Sequence, residues 1–235
     1  MTAEHLTPDN GHMHEPVANS LAIDIIDGRW QTDAPKTLED IQADFGVSRT
    51  VAREAARLLE AAQAIEIRRR VGLIPRPPAD WQALNPQVIT WKLHSTQRRQ
   101  ELISLTELRL CIEPAAARLA ATRANLDDKA KLPVMTLKMK DAGENGRLDE
   151  FHETDIEFHT LILRSCGNEL FAAFADTVAT VLRGRVEINM YPRQPRPEAM
   201  AAHVAVAEAI WRGEAEKAYA AMQGIVDEVG EAISG

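Results

Sequence analysis

The apolar positions along this chain follow helical spacing almost everywhere, with one short exception. From Pro16 to Asp27, Val17, Leu21 and Ile25, together with Ala18 and Ala22, recur on one helix face, and Gly28 ends the run. A polar stretch from Gln31 to Lys36 leads to a second helix, with Thr37 as its N-cap and Asp40 placed to close a weak capping box. Phe45-Gly46 stops that helix, because Gly46 can take the left-handed backbone of a tight turn. Ser48 then caps a third helix, from Arg49 to about Ala62. The exception follows: Ala64 to Ile67 and Gly72 to Ile74 are two β-like runs around Arg68-Arg69-Arg70-Val71, which read as a small hairpin. Two short helices joined through Gly, an Arg-rich helix start and a hairpin make the layout of a winged helix-turn-helix.

Pro75, Pro77 and Pro78 break the pattern after the hairpin. Trp81 to Leu93, carrying Trp81, Leu84, Val88 and Trp91, reads as a linker that docks on a neighbouring domain. From about Arg98 onward six helical stretches are expected, at 98–123, 127–142, 148–165, 168–189, 197–212 and 214–233. Their breaks fall at Asn125, Gly143/Gly146, Gly167, the Pro192–Pro197 stretch and Gly213. The expected fold class is mainly α, an N-terminal winged helix-turn-helix followed by an all-helical bundle of about six helices. The expected organisation is a flexible arm at 1–14, a DNA-binding domain at 15–78, a linker at 79–97 and an all-helical domain at 98–235.

Composition adds exclusions. With 45% hydrophobic and 26% charged residues the chain has a globular balance and not a disordered one. No apolar run approaches the roughly 18 residues that a membrane span requires, and no secretory leader is expected. Cys111 and Cys166 are isolated within helical stretches, so no disulfide framework is expected and a reducing cytoplasm is the simplest setting.

The net charge of −8 changes meaning once it is divided along the chain. Residues 49–76 hold seven Arg and three Glu, a local +4, which leaves −12 for the remainder. One basic block on an acidic protein suits a local phosphate contact, although a solvated charged face has the same composition. The third helix opens with Val47-Ser48-Arg49-Thr50-Val51-Ala52-Arg53-Glu54. Arg49 and Arg53 are one turn apart and share a face, so both can reach base edges in a major groove. Ser48 or Thr50 can meet a phosphate or base edge, while Arg70 and Gly72 would carry the wing tip. The competing reading pairs these arginines with Glu54 and Glu60.

Phe45-Gly46-Val47-Ser48-Arg49-Thr50-Val51-Ala52-Arg53-Glu54-Ala55 resembles the recognition segment of the GntR family, and Leu58-Leu59, Ile65 and Gly72 match the helix end and wing that follow it. The opening of the second helix departs from the family, reading Ala34-Pro35-Lys36-Thr37-Leu38-Glu39 and lacking the arginine often found just after. The C-terminal half resembles the all-helical ligand domain of the FadR subfamily, called FCD. Three segments carry that resemblance: Glu107-Leu108-Arg109 with Ile112-Glu113-Pro114, Asp155-Ile156-Glu157-Phe158-His159 with Ser165-Cys166-Gly167-Asn168, and His203 with Ala209-Ile210 and Gly213-Glu214. What the resemblance implies is a homodimeric repressor on a palindromic DNA operator, switched by a small carboxylate. Trp81, Leu84, Val88 and Trp91, together with the absence of a last-helix histidine, resemble the branch that answers to sugar acids such as gluconate or galactonate. Lactate or a uronate acting through a bound metal is the alternative.

Asp155 and His159, four residues apart, point the same way from one helix, which suits a shared metal ion or an anion. His203 from another helix would make a divalent site, for zinc or manganese. The resemblance implies a further histidine three residues after Met222, where this chain has Ile225, so water or a chelating ligand would have to complete the shell. The same side chains could instead bind sugar hydroxyls directly, or form a satisfied buried pair. For an anionic effector, Arg109 is the best buried cation, flanked by Leu105, Leu108 and Ile112, with Arg183 and Arg185 as further candidates. Asn168 joins the expected effector set through the resemblance. Any of these arginines could instead pair with Glu107, Glu113 or Glu187. A metal-dependent hydrolase built on Asp155, His159 and His203 is the rival class, but no separate general base or nucleophile elbow is evident, so no enzyme is expected.

Overall fold

The computed structural model describes residues 13–188, 190 and 197–234. Most of the expected arm at 1–14, and the prolines before Pro197, lie outside the described residues. The chain forms two compact units, Met1–Arg98 and Arg99–Gly235.

In the first unit, α1 (His14–Ile26) buries Val17, Ala18, Leu21, Ala22, Ile25 and Ile26, the stripe read from the periodicity and its last neighbour. Helix α2 (Leu38–Phe45) begins with both halves of the capping box: Thr37 accepts from the Asp40 N–H, and the Asp40 carboxylate accepts from the Thr37 N–H at 2.7 Å. Gly46 ends it at φ 64°, the left-handed conformation expected of a tight turn. Ser48 caps α3 (Arg49–Ala61) by accepting from the Val51 N–H at 3.3 Å. Helix α3 turns Val51, Ala52, Ala55, Ala56 and Leu59 inward, which leaves its arginines outward.

The hairpin pairs β1 (Ile65–Arg68) antiparallel with β2 (Gly72–Pro75), Ile65 opposite Pro75 and Arg68 opposite Gly72. Lys36 adds an isolated bridge to β2: its N–H donates to Leu73 O at 3.1 Å and its carbonyl accepts from Leu73 N at 2.8 Å. After a 3₁₀ turn at Pro78–Asp80, α4 (Pro86–Leu93) packs on α1. Trp81, Val88 and Trp91 are buried in the same core as Leu21, Ile41 and Leu59, while Leu84 is exposed. Residues 79–93 are therefore built into the winged-helix unit.

The second unit is entirely helical among the described residues: α5 (Arg98–Arg123), α6 (Leu126–Glu144), α7 (Leu148–Ser165), α8 (Glu169–Ala172), α9 (Ala175–Glu187), α10 (Pro197–Arg212) and α11 (Ala215–Ser234). The stretch expected as one helix at 168–189 is two. No residue of α8 is buried, whereas α9 buries eight, so the chain must change direction at 173–174 to bring the second segment into the core. Helix α7 lies between α6 and α9, and α10 packs on both α6 and α11. Small side chains at Ala116, Ala117, Ala120, Ala207 and Ala218 let these helices approach around Phe158, Ile162, Leu182, Ile210 and Met222. None of the helices searched is long and apolar enough to cross a membrane.

Candidate functional sites

The candidate DNA interface is the outer face of α3 with the hairpin. Ser48, Arg49, Thr50 and Arg53 are all exposed at or near its N-terminus, opposite the apolar side that anchors the helix. Arg49 Nη1 lies 3.1 Å from Glu39 Oε1, and Arg53 Nε lies 3.6 Å from Glu54 Oε1, with the arginine side chains 70% and 55% exposed. Exposed pairs of this kind are weak and exchange readily for a phosphate or base edge. Glu54 is thus an arginine partner, as one sequence reading had it, but Glu39 was not foreseen. It stands on α2, where the family resemblance already broke down.

Arg70 sits at the hairpin tip with φ 69°, exposed, and Arg68 is held by Glu66 at 2.8 Å. Gly72, at φ 116°, has a reason to be glycine inside the unit: a Cβ there would lie 2.5 Å from the Lys36 carbonyl oxygen. Its close backbone approach is to Lys36, which no local sequence signal announced.

In the helical unit, α5, α7 and α10 bring five polar side chains to one buried place. Asp155 and His159 come from α7, His203 from α10, and Arg109 and Glu113 from α5, each no more than 4% exposed. The Asp155, His159 and His203 ligand atoms all lie within 4.8 Å of one another. Asp155 Oδ1 is 2.9 Å from His203 Nε2 and 3.6 Å from His159 Nε2. The 2.9 Å contact makes His203 the nearer imidazole to Asp155.

Both imidazoles are turned by a partner on the far side of the ring. His159 Nδ1 lies 2.5 Å from Glu113 Oε2, and His203 Nδ1 lies 2.7 Å from the Ala199 carbonyl. A carboxylate and a carbonyl can only accept, so each Nδ1 donates, and a neutral ring would present the Nε2 lone pair towards Asp155. Phe158 packs edge-on to both rings, with centroids at 5.8 and 5.3 Å, and limits their rotation. Arg109 in turn grips Glu113 through Nε to Oε1 and through Nη2 to Oε2, the latter at 3.3 Å.

Two imidazole nitrogens and one carboxylate oxygen converging in a buried site call for a positive charge among them. A divalent cation meets that need. Ligands about 2.0–2.2 Å from one ion stand roughly 3.0–3.5 Å apart, near the two separations to Asp155 Oδ1. The same donor set suits zinc or manganese. Without an ion, a proton on His203 would serve: burial lowers its pKa, but the Asp155 carboxylate outweighs this and raises it above 6.5. Burial likewise pushes the Glu113 carboxyl up, while Arg109 and His159 more than offset it and hold it at about 2.

The remaining sequence-predicted residues lie elsewhere. Asn168 caps α8, its side chain accepting from the Leu170 N–H at 3.0 Å. Arg183 is exposed, 3.9 Å from Glu153, and lines a groove of about 250 Å³ with Asp149, His152, Ile156, Val186 and Glu187. Arg185 is buried on α9. Ile225 is buried in the apolar core, so the position where the resemblance implies a fourth ligand offers no nitrogen. The pairing of Arg109 with Glu113 is the competing reading the sequence offered, whereas the contact of Glu113 with His159 was not read from sequence. The signal for that pairing was the i,i+4 spacing from Arg109 on an otherwise apolar helix face, which marks a pair built to be buried together.

Comparison with known proteins identifies the family of each unit. Residues 14–74 match the model described as "Bacterial regulatory proteins, gntR family", and residues 104–228 match the FCD domain. Among curated relatives, an uncharacterized HTH-type transcriptional regulator of Escherichia coli K12, YieP, is 31% identical over 167 residues, 70% of this chain and 72% of its own. The galactonate operon transcriptional repressor of the same organism is 28% identical over 193 residues, 81% of this chain and 83% of its own. Among solved structures, Lar, which controls the expression of the Listeria monocytogenes agr system, has the same fold at TM-score 0.62 and 17% identity, covering 100% of this chain and 99% of its own. McbR/YncC of E. coli has it at TM-score 0.54 and 15% identity, covering 94% and 97%.

Proposed function

Because the chain belongs to the GntR family of bacterial transcription regulators and carries an FCD domain, and is no enzyme, we propose that it is a repressor released by a small carboxylate. The carboxylate is a sugar acid such as gluconate or galactonate, bound where Asp155, His159 and His203 hold a divalent metal. The observation that carries this reading is the charge balance of the buried cluster. Arg109 cancels Glu113, which leaves the single negative charge of Asp155. A divalent ion would turn this into one net positive charge, matched to one carboxylate.

The metal, when bound, supplies a Lewis-acidic point to which a carboxylate and its neighbouring hydroxyl can chelate. Asp155, His159 and His203 would hold it. Arg109 stands behind as the fixed cation, and Arg183 is the further cation this reading assigns to an incoming anion. The relative that represses a galactonate operon supports the sugar-acid class.

Ser48, Arg49, Thr50, Arg53 and Arg70 contact DNA in this reading, with Gly72 keeping the wing in shape. The protein acts in the cytoplasm as a homodimer on a palindromic operator, its two α3 helices about one DNA turn apart. The effector must favour one dimer arrangement over the other, since equal affinity shifts nothing.

The test is to select bound fragments from the source genome with purified protein, then titrate acids against the complex. Fragments carrying a palindrome, released by gluconate or galactonate, are expected. Release only by lactate or a uronate would change the effector and keep the centre. No enrichment of any fragment would overturn the regulator reading.

A further inference from the structure

An imidazole can hold its neutral proton on either nitrogen, and only a ring protonated at Nδ1 offers Nε2 to a cation. In the buried centre that choice is not left to His159. Its Nδ1 faces Glu113 Oε2 at 2.5 Å across 46 residues of chain, from α7 to α5. The carboxylate is itself clamped: Arg109, one turn earlier on α5, meets Oε1 through Nε and Oε2 through Nη2. With both oxygens engaged and all three residues no more than 1% exposed, neither the carboxylate nor the ring has room to swing.

We propose that Glu113 is the positioning residue of this centre: it keeps the proton of His159 on Nδ1, so that Nε2 faces Asp155 and His203 with its lone pair, and Arg109 acts through Glu113. This rests on reading Asp155, His159 and His203 as metal ligands. Helix α5 then supplies the supporting shell, while α7 and α10 supply the ligands. The division gives the two buried charged groups of α5 a role: Glu113 reaches the far nitrogen of the His159 ring, and Arg109 holds Glu113. Such outer partners commonly govern metal affinity by 10- to 100-fold.

A neutral amide at 113 would lose the grip of Arg109 and could turn its N–H₂ towards His159. The ring would then protonate at Nε2 and close that position to a cation. Cobalt(II) is the probe, since its visible absorption reports nitrogen ligation independently of DNA binding. Wild type is expected to bind cobalt with two histidine nitrogens in the spectrum, and Glu113→Gln about 10- to 100-fold more weakly with one nitrogen lost. Glu113→Asp, which restores the charge on a shorter stem, is expected to recover part of the affinity.

A second measurement needs no variant. Long-range ¹H–¹⁵N correlation of the histidine rings in metal-free wild type should show His159 protonated at Nδ1. Protonation at Nε2 would overturn the proposal, as would equal cobalt affinity and spectrum in wild type and Glu113→Gln. Should Glu113→Gln fail to fold, the wild-type ring spectrum decides. Absence of cobalt binding by folded wild type would remove the metal reading on which the proposal rests, and the ring spectrum would then show which of the two had failed.

Discussion

The Trp91 indole donates to the Asn19 side-chain oxygen at 2.7 Å, joining α4 to α1 across 72 residues of chain. Gln87 donates to the same oxygen at 2.9 Å, and Trp81 packs edge-on against Trp91 at 5.9 Å. The segment after the wing is thus held as firmly as the helices it covers. Asn19→Leu would leave a buried indole N–H without an acceptor, at a cost of about 1–3 kcal/mol. Urea unfolding of the full chain followed by tryptophan fluorescence should show that loss, and an unchanged midpoint would mean the bond contributes nothing.

Gly72→Ala is expected to damage the wing from within. The added methyl would meet the Lys36 carbonyl at 2.5 Å with the backbone at φ 116°. Relief requires breaking the Lys36–Leu73 bridge, and strain of this kind costs about 1–3 kcal/mol. Thermal unfolding would register it. A variant as stable as wild type with weakened DNA binding would instead place Gly72 at the DNA contact.

Arg49→Ala should separate binding from folding. Its side chain is 70% exposed and paired only weakly with Glu39, so the melting temperature should not move. Loss of a bidentate guanine contact costs about 1–3 kcal/mol. Operator titration by fluorescence anisotropy, repeated on random duplex, should show specific affinity falling further than non-specific affinity. An equal fall on both would make Arg49 a phosphate contact.

Much of this was legible in the sequence because it is local. The capping box at Thr37 and Asp40, the turn at Gly46 and the cap at Ser48 are each set by residues within four positions, so short-range patterns found them. The i,i+4 pair Asp155 and His159 was legible for the same reason. What could not be read depends on contacts distant in sequence. Glu113 reaches His159 from 46 residues away, and Gly72 meets Lys36 through backbone atoms that carry no side-chain signature. The break at 173–174 escaped because both segments have helical composition, and only the burial of α9 demands the turn.

Acid should weaken the winged-helix unit through Asp27. Burial raises its pKa, but the Thr96 N–H and hydroxyl, with Arg29, more than offset this and hold it below 3.8. A carboxylate lowered in the folded state stabilises above its unfolded value and loses that contribution as pH falls through the folded value. Asp27→Asn should therefore be less stable than wild type at neutral pH, with the difference shrinking below about pH 3.8. A difference constant with pH would show that the charge of Asp27 is not what stabilises.

The central claim is that a small carboxylate binds at a metal held by Asp155, His159 and His203, and calorimetric titration of gluconate and galactonate tests it most directly. Protein stripped of metal, protein reloaded with zinc or manganese, and reloaded His203→Ala would be compared. Saturable binding to the reloaded wild type, at least tenfold weaker in the other two, is the predicted result. Equal binding by all three, or none by reloaded wild type to any sugar acid, would contradict it.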